Sequence, residues 1–457
     1  MTENKMGVMP VKKLIVTMSL PMMISMLVQA LYNIVDSIFV ARLSEEALTG
    51  VTLAFPLQTL MFSVVGGTGV GINAMLSKAL GEKKLDEADL AAGNGLVLSI
   101  IAAIIFMTAS FMGAAGAFIR SQTSDPLIAR EGTTYLSIVM VLSIGMASQV
   151  TIERLLQSTG RTFYTMITQG LGAIINIIMD PIMIFGLYGF PKLGVAGAAY
   201  ATIIGQSIAA MLALYFNLKK NPDIRFSPRI FKLKLDVVKR IYFVGIPSIL
   251  MIAIGSVMTY LFNLILTAFS STAVAVFGVY FKLQSFFFMP VFGLNNGVIP
   301  VLAYNYGAKK KDRINEALKF GIALAFTVMC IGTIVFELMP ERLLQMFSAS
   351  DDMMLIGIKA LRTIAWHFPI AGICIAMGSV FQAFGRSFYS MVISLGRQIF
   401  VLIPVAYALS LTGNVDNVWW AFLISETVSF CLTVVFFRRL NRAVTREMEE
   451  EADAAGE

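Results

Sequence analysis

Twelve stretches of this chain each stay apolar beyond the about 18 residues that cross hydrocarbon as a helix. Nothing else in the sequence constrains the fold as strongly. They fall at 14–40, 47–77, 90–118, 128–157, 162–186 and 194–218, then 239–267, 272–303, 314–338, 353–383, 387–411 and 417–437. Without water to satisfy backbone groups such spans must be helical, so the chain reads as an all-α integral membrane protein. Only 14% of its 457 residues are charged, against about a quarter in soluble domains. Several spans exceed the bilayer thickness and should tilt or bend at their prolines. The apolar run after Lys12 and Lys13 is too long for a signal-peptide core and has no small-residue cleavage site after it, so no cleavage is expected.

The loops give orientation. One side carries 24 Lys and Arg, the other only Arg42, Arg120, Arg130, Lys192, Arg342 and Lys359. Basic residues stay on the cytoplasmic side, which places both termini in the cytoplasm and the protein as a multi-pass chain in the cell (inner) membrane. The net charge of +7 therefore serves topology and not nucleic-acid binding. Cys330, Cys374 and Cys431 all fall in apolar spans and read as small core residues. A single histidine excludes the usual histidine metal clusters, and the absence of a nucleotide-binding glycine motif or HExxH argues against an enzyme.

A polar connector at 219–238 divides the chain into 1–218 and 239–437, with a tail at 438–457. The two parts are copies. Pro21 and Pro247, Gln58 and Gln284, Gly67 and Gly293, Gly71 and Gly297, and Gly81 and Gly307 are all separated by 226 positions, and GRTFYTM at 160–166 recurs as GRSFYSM at 385–391. One register held through two helices and a loop marks a duplicated six-helix unit. Six is even, so the copies lie parallel, an architecture of transporters with a site at the repeat interface.

The copies differ where chemistry is expected. Asp36 aligns with Phe262 and Tyr32 with Met258, while Asn176 and Asp180, spaced i, i+4 on one helix face, align with Val401 and Val405. A carboxylate in hydrocarbon costs about 3 kcal/mol on insertion scales, so it marks a functional site by default. At about 1.5 Å per residue, Asp36, Asp180 and Thr202 reach similar depth, with Tyr32 and Asn176 one turn deeper. Two carboxylates, an amide and a hydroxyl suit a hard cation such as Na⁺ and equally a shared proton. Pro181 should loosen the helix beside Asp180.

The run QALYNIVDSIFVARL, the segment INIIMDPIMIFG and the paired glycine segments ending in GEKK and GAKKKDR resemble the multidrug and toxic compound extrusion (MATE) family. The resemblance implies a V-shaped transporter of two six-helix lobes that exports organic, often cationic, drugs in exchange for Na⁺ or H⁺, with no cofactor beyond that ion. It implies a cation site of Asp36, Asn176, Asp180 and Thr202, with Tyr32 a neighbour that helps rearrange the first helix. One branch of the family has acids in helices 7 and 10; this chain has none there, which favours coupling through the first half. The protein is expected to work as a monomer in the lipid bilayer.

Gln29 and Asn33 on helix 1, Met61 and Phe62 on helix 2, and Lys282, Phe287, Phe288 and Met289 on helix 8 are expected to line the substrate cavity. Glu153 and Arg154 read as interfacial, His367 as a core histidine, and Arg397 with Glu426 as either a structural pair or transport residues. Gln58 and Gln284 read as packing residues. The alternative function is a flippase for lipid-linked sugars, which would need a strongly cationic cavity.

Overall fold

The computed structural model describes residues 4–347 and 350–456, with side chains through Leu440 and at Arg442. Among the described residues no strand forms. Ten helices are long and apolar enough to cross a membrane, and two bent pairs bring the number to twelve. In the first half α1 is Val11–Ala41, α2 Glu45–Gly81 and α3 Leu85–Phe111. The span α4 is Pro126–Val141 followed by Ile144–Ser158, then α5 is Thr162–Phe185 and α6 Val195–Lys220. In the second half α7 is Leu235–Thr267, α8 Ser271–Gly307 and α9 Lys311–Leu338. The span α10 is Asp351–Ala365 followed by Phe368–Ala383, α11 is Ser387–Ser410, and α12 is Trp420–Gly456.

Two spans expected to be single helices are broken. α4 bends by 49° and α10 by 45°. At the first break the Ser143 hydroxyl donates to the Ala103 carbonyl at 3.2 Å; at the second, His367 is the N-cap of the new segment and Pro369 its second residue. The opposite correction applies at Pro181. The helix α5 runs through it to Phe185, so no loosened backbone joins the neighbourhood of Asp180.

The duplication extends to the caps. Ser44 and Ser270 each cap the second helix of their copy, accepting at 3.0 Å from Ala47 N and Ala273 N. Lys83 and Lys309, again 226 apart, both adopt left-handed φ, 59° and 57°, in the turn that follows. Local sequence thus fixes the same helix-turn-helix twice.

Packing between the halves follows from paired glycines. A Cβ on Gly67 would lie 2.6 Å from Ile249 N, and one on Gly293 2.6 Å from Met23 Cα. Ile249 and Met23 are themselves repeat equivalents, so each second helix packs on the other half's first helix, α2 on α7 and α8 on α1. At the end that carries the termini, Gly81 and Gly307 repeat the device against Tyr304 O and Lys78 O, at 2.0 and 2.2 Å. Small residues permit such close backbone approach, the usual basis of helix association in lipid. Hydrogen bonds between the halves lie near the level of Ser19 and Arg154 or closer to that end, including Asn305 Nδ2 to Met6 O at 3.0 Å and Arg313 Nη2 to Met9 O at 2.7 Å. Toward the other end the same four helices expose Leu31, Phe55, Val257 and Phe281. The described hydrogen bonds thus hold the halves together at the end that carries the termini and at the level of Ser19 and Arg154.

The connector after α6 is tied down. Arg225 pairs with Asp86 at 2.7 Å and Asp89 at 2.9 Å, Arg161 with Asp223, and the buried Asn94 amide donates to Ile230 O and Lys232 O at 3.2 Å. The cysteines are unbonded, and Cys431 is exposed where a core position was expected.

Replacing Gly307 by Val should overpack the closed end, at a cost of about 1–3 kcal/mol. A lower melting temperature in detergent is expected for Gly307→Val, and no change for Gly170→Ala, where a Cβ meets open space.

Candidate functional site

The polar residues unique to the first half converge. α1 carries Tyr32 and Asp36, α5 carries Asn176 and Asp180, and α6 carries Thr202. Asp180 is wholly buried, Asn176 and Thr202 are buried, and Asp36 is half-buried. The Asp36 and Asp180 carboxyls lie within hydrogen-bonding reach of one another. Asn176 and Thr202 side chains meet at 3.2 Å. The amide orientation that satisfies every group has the Asn176 nitrogen donating to Asp180 Oδ2 at 3.3 Å, and its oxygen accepting from Thr202 Oγ1 at 3.2 Å and Thr202 N at 3.1 Å. Tyr32 sits beside Asp36, with Gln29 three residues before it on the same helix.

One carboxyl oxygen on each acid, Asp36 Oδ1 and Asp180 Oδ1, is buried without a donor among the described residues. Buried polar atoms normally find partners. Two adjacent carboxyls cannot both stay charged here without a counter-ion, so the arrangement can hold a proton between them or coordinate a small hard cation.

Tyr135 of α4 also faces this group, near Asp36, Tyr32 and Asp180, and sequence reasoning missed it. Its hydroxyl accepts from Gln58 Nε2 at 3.3 Å. The available signal was Gln58, retained in both copies; its equivalent Gln284 accepts from Tyr280 at 2.6 Å, and Tyr280 adjoins Arg397 and Glu426. In each half the repeated glutamine holds a tyrosine against a buried ionisable pair.

The second half is filled differently. Phe262, in the place of Asp36, is fully buried against Phe277, Phe422 and Trp419, with centroids 4.8, 5.0 and 6.3 Å away. Arg397 Nη1 donates to Glu426 Oε2 at 2.9 Å. His367 is buried among Phe288, Phe368 and Phe422, its Nδ1 2.6 Å from Ile364 O.

The expected cavity liners separate. Phe62, Asn33 and Lys282 are exposed, and Gln29 and Met289 half-buried. Phe287 and Phe288 pack partly on Phe336 and Phe368. Met61 is fully buried in the first-half core with Val65 and Met140, so it lines nothing in this conformation. Glu153 and Arg154 do not reach water at a helix end. Glu153 is buried and accepts from Gln149 (3.2 Å), Thr168 (2.8 Å) and Gln169 (2.8 Å), while Arg154 turns to the boundary between the halves.

A profile of the MatE family matches residues 21–182 and 247–408, two segments related by the same shift of 226. The chain belongs to the MatE family. It is accordingly a transporter and not an enzyme, and its helices are those of a MatE membrane protein. Similar relatives include multidrug export protein MepA of Staphylococcus haemolyticus, 27% identical over 93% of each chain, and an FAD transporter of Shewanella oneidensis, 26% identical over 90% of each. A solved structure, the outward-facing conformation of a multidrug resistance MATE family transporter, superposes with a TM-score of 0.91 at 25% identity, covering 98% of this chain and 99% of that one.

Removing one partner of the Arg397–Glu426 pair leaves a buried charge, at a cost of about 3–5 kcal/mol. Arg397→Met, which strands the buried Glu426, should therefore lower thermal stability strongly, and adding Glu426→Leu should restore most of it.

Proposed function

We propose that this protein is a secondary active multidrug exporter that moves small organic compounds out of the cell against Na⁺ or H⁺ entering through its first half. The observation that carries this reading is the buried Asp36–Asp180 pair, with one unpartnered oxygen on each acid. Asn176 and Thr202 complete the cation site, and Tyr32 adjoins it. The ion is the coupling substrate; the fold needs no further cofactor. In this reading the termini are cytoplasmic, the cleft opens outward, the segments 1–218 and 239–437 are the moving lobes, and the unit is a monomer in the cell membrane.

Coupling requires the ion to favour one conformation. Asp36 lies on α1, whose other end packs on α8 through Gly293 and Gly297. A change of charge at Asp36 therefore acts on a helix that touches both halves. Multidrug export and FAD transport are both named among the relatives, which supports one scaffold serving cargo of different charge. The flippase reading is weaker, because Arg397, one of its three deep bases, is neutralised by Glu426.

The test is dye efflux from proteoliposomes with Na⁺ and pH gradients imposed separately. One gradient should drive efflux, and Asp36→Asn or Asp180→Asn should reduce the driven rate at least tenfold while the protein stays folded. Full driven efflux by either variant would remove the proposed coupling site.

A further inference from the structure

We propose that the cleft recognises amphipathic organic anions, with Arg154 at its floor and Lys282 on its wall as the charged contacts. This specifies the cargo class and rests on the export reading above. Arg154 leaves the second segment of α4 and crosses Gly69 of α2, where a Cβ would lie 2.9 Å from Arg154 Cγ. Its Nη1 donates to Gln157 Oε1 at 2.8 Å and to Asn296 Oδ1 of α8 at 3.0 Å. Both acceptors are neutral amides. Neighbouring Glu153 is engaged by α5 on the other side, and no carboxylate pairs with Arg154 among the described residues.

Asn296 and Gly69 lie 7 and 8 residues inside the ends of their apolar spans at 303 and 77, or about 10–12 Å along their helices, well within a bilayer core of about 30 Å. A guanidinium inside the bilayer whose hydrogen bonds go only to neutral amides keeps strong donor capacity for an anionic ligand. Lys282 stands 14 residues from Asn296 on α8, close to four turns, and so shares the face that Asn296 turns to the first half. It is exposed and has no ion pair or hydrogen bond among the described residues. Phe292 and, across the cleft, Phe62 and Phe55 are exposed between these levels, a surface for an apolar body. Of the helices that meet between the halves, α8 has no acid, α2 only Glu45 and Glu46 at its start, α7 only Asp236, and the one acid of α1 is turned to Asp180; Glu153 of α4 acts on Arg154 through space, with its oxygens held by Gln149, Thr168 and Gln169. A guanidinium offers paired donors to carboxylate, sulfonate or phosphate oxygens. An anion that takes Arg154 competes with Asn296 for it.

The experiment compares a carboxylated fluorescein with ethidium in proteoliposomes under whichever gradient drives transport. The anionic dye should be moved, and Arg154→Gln and Lys282→Gln should each lower the ratio of anionic to cationic transport at least tenfold, with Arg154→Lys intermediate. Transport of ethidium without the fluorescein would overturn the inference and leave export standing. So would an equal loss of both dyes in Arg154→Gln, the signature of a structural brace. If neither dye moves under either gradient, the export reading fails and takes this one with it. Should Arg154→Gln not fold, Lys282→Gln on the exposed wall decides, with saturation binding of the fluorescein as readout.

Discussion

Two carboxyl groups held side by side in hydrocarbon form the interaction on which the rest of this structure turns. Neither acid can be a bare anion next to the other, and lipid offers no water to relieve either of them. The surrounding helices answer by closing around the pair: Asn176 bonds both Asp180 and Thr202, Gln58 bonds Tyr135 near the group, and Asp180 loses all contact with solvent. What stays open is one oxygen on each acid. A site that satisfied both would be a brace; a site that satisfies neither invites an ion.

The duplicated architecture makes this asymmetry readable. Each half supplies a second helix with glycines that lets it lie against the first helix of the other, so the closed end is built from one contact used twice. With the frame repeated, divergence inside it is informative. Where the first half has Asp36, the second has Phe262 in a cluster of aromatic rings, and its buried charges, Arg397 and Glu426, cancel each other. The core of the second half is closed by aromatic packing and by an ion pair, whereas the facing carboxyls lie in the first.

The spans, the repeat and the convergence of Asp36, Asn176, Asp180 and Thr202 were legible because hydrophobic length, a fixed register and helical rise are properties of sequence alone. Side-chain direction was not. Arg154 sits near a helix end, where long basic residues usually reach water, yet the 49° break in α4 and the missing side chain at Gly69 send it inward. Met61 and Phe62 are neighbours with opposite fates, because the face of α2 toward its own half cannot be told from the face toward the cleft without knowing the crossing angle. Tyr135 carries no spacing signal. Pro181 is expected from sequence to loosen the backbone beside Asp180, but the helix stays continuous through it to Phe185, as membrane helices commonly tolerate proline.

Charge placement then separates two tasks that a single cleft would confuse. A cation-coupled exporter whose cleft also carried exposed acids would bind its driving ion and its cargo on the same groups. Here the acids are withdrawn between α1 and α5, while the walls between the halves present Arg154, Lys282 and aromatic rings. The two binding events are then linked only through α1, which holds Asp36 at one end and packs against α8 at the other. Because α8 also carries Asn296 and Lys282, in the exchange proposed above a tilt of α1 on ion binding would reach the groups proposed to meet the cargo without direct contact between ion and drug.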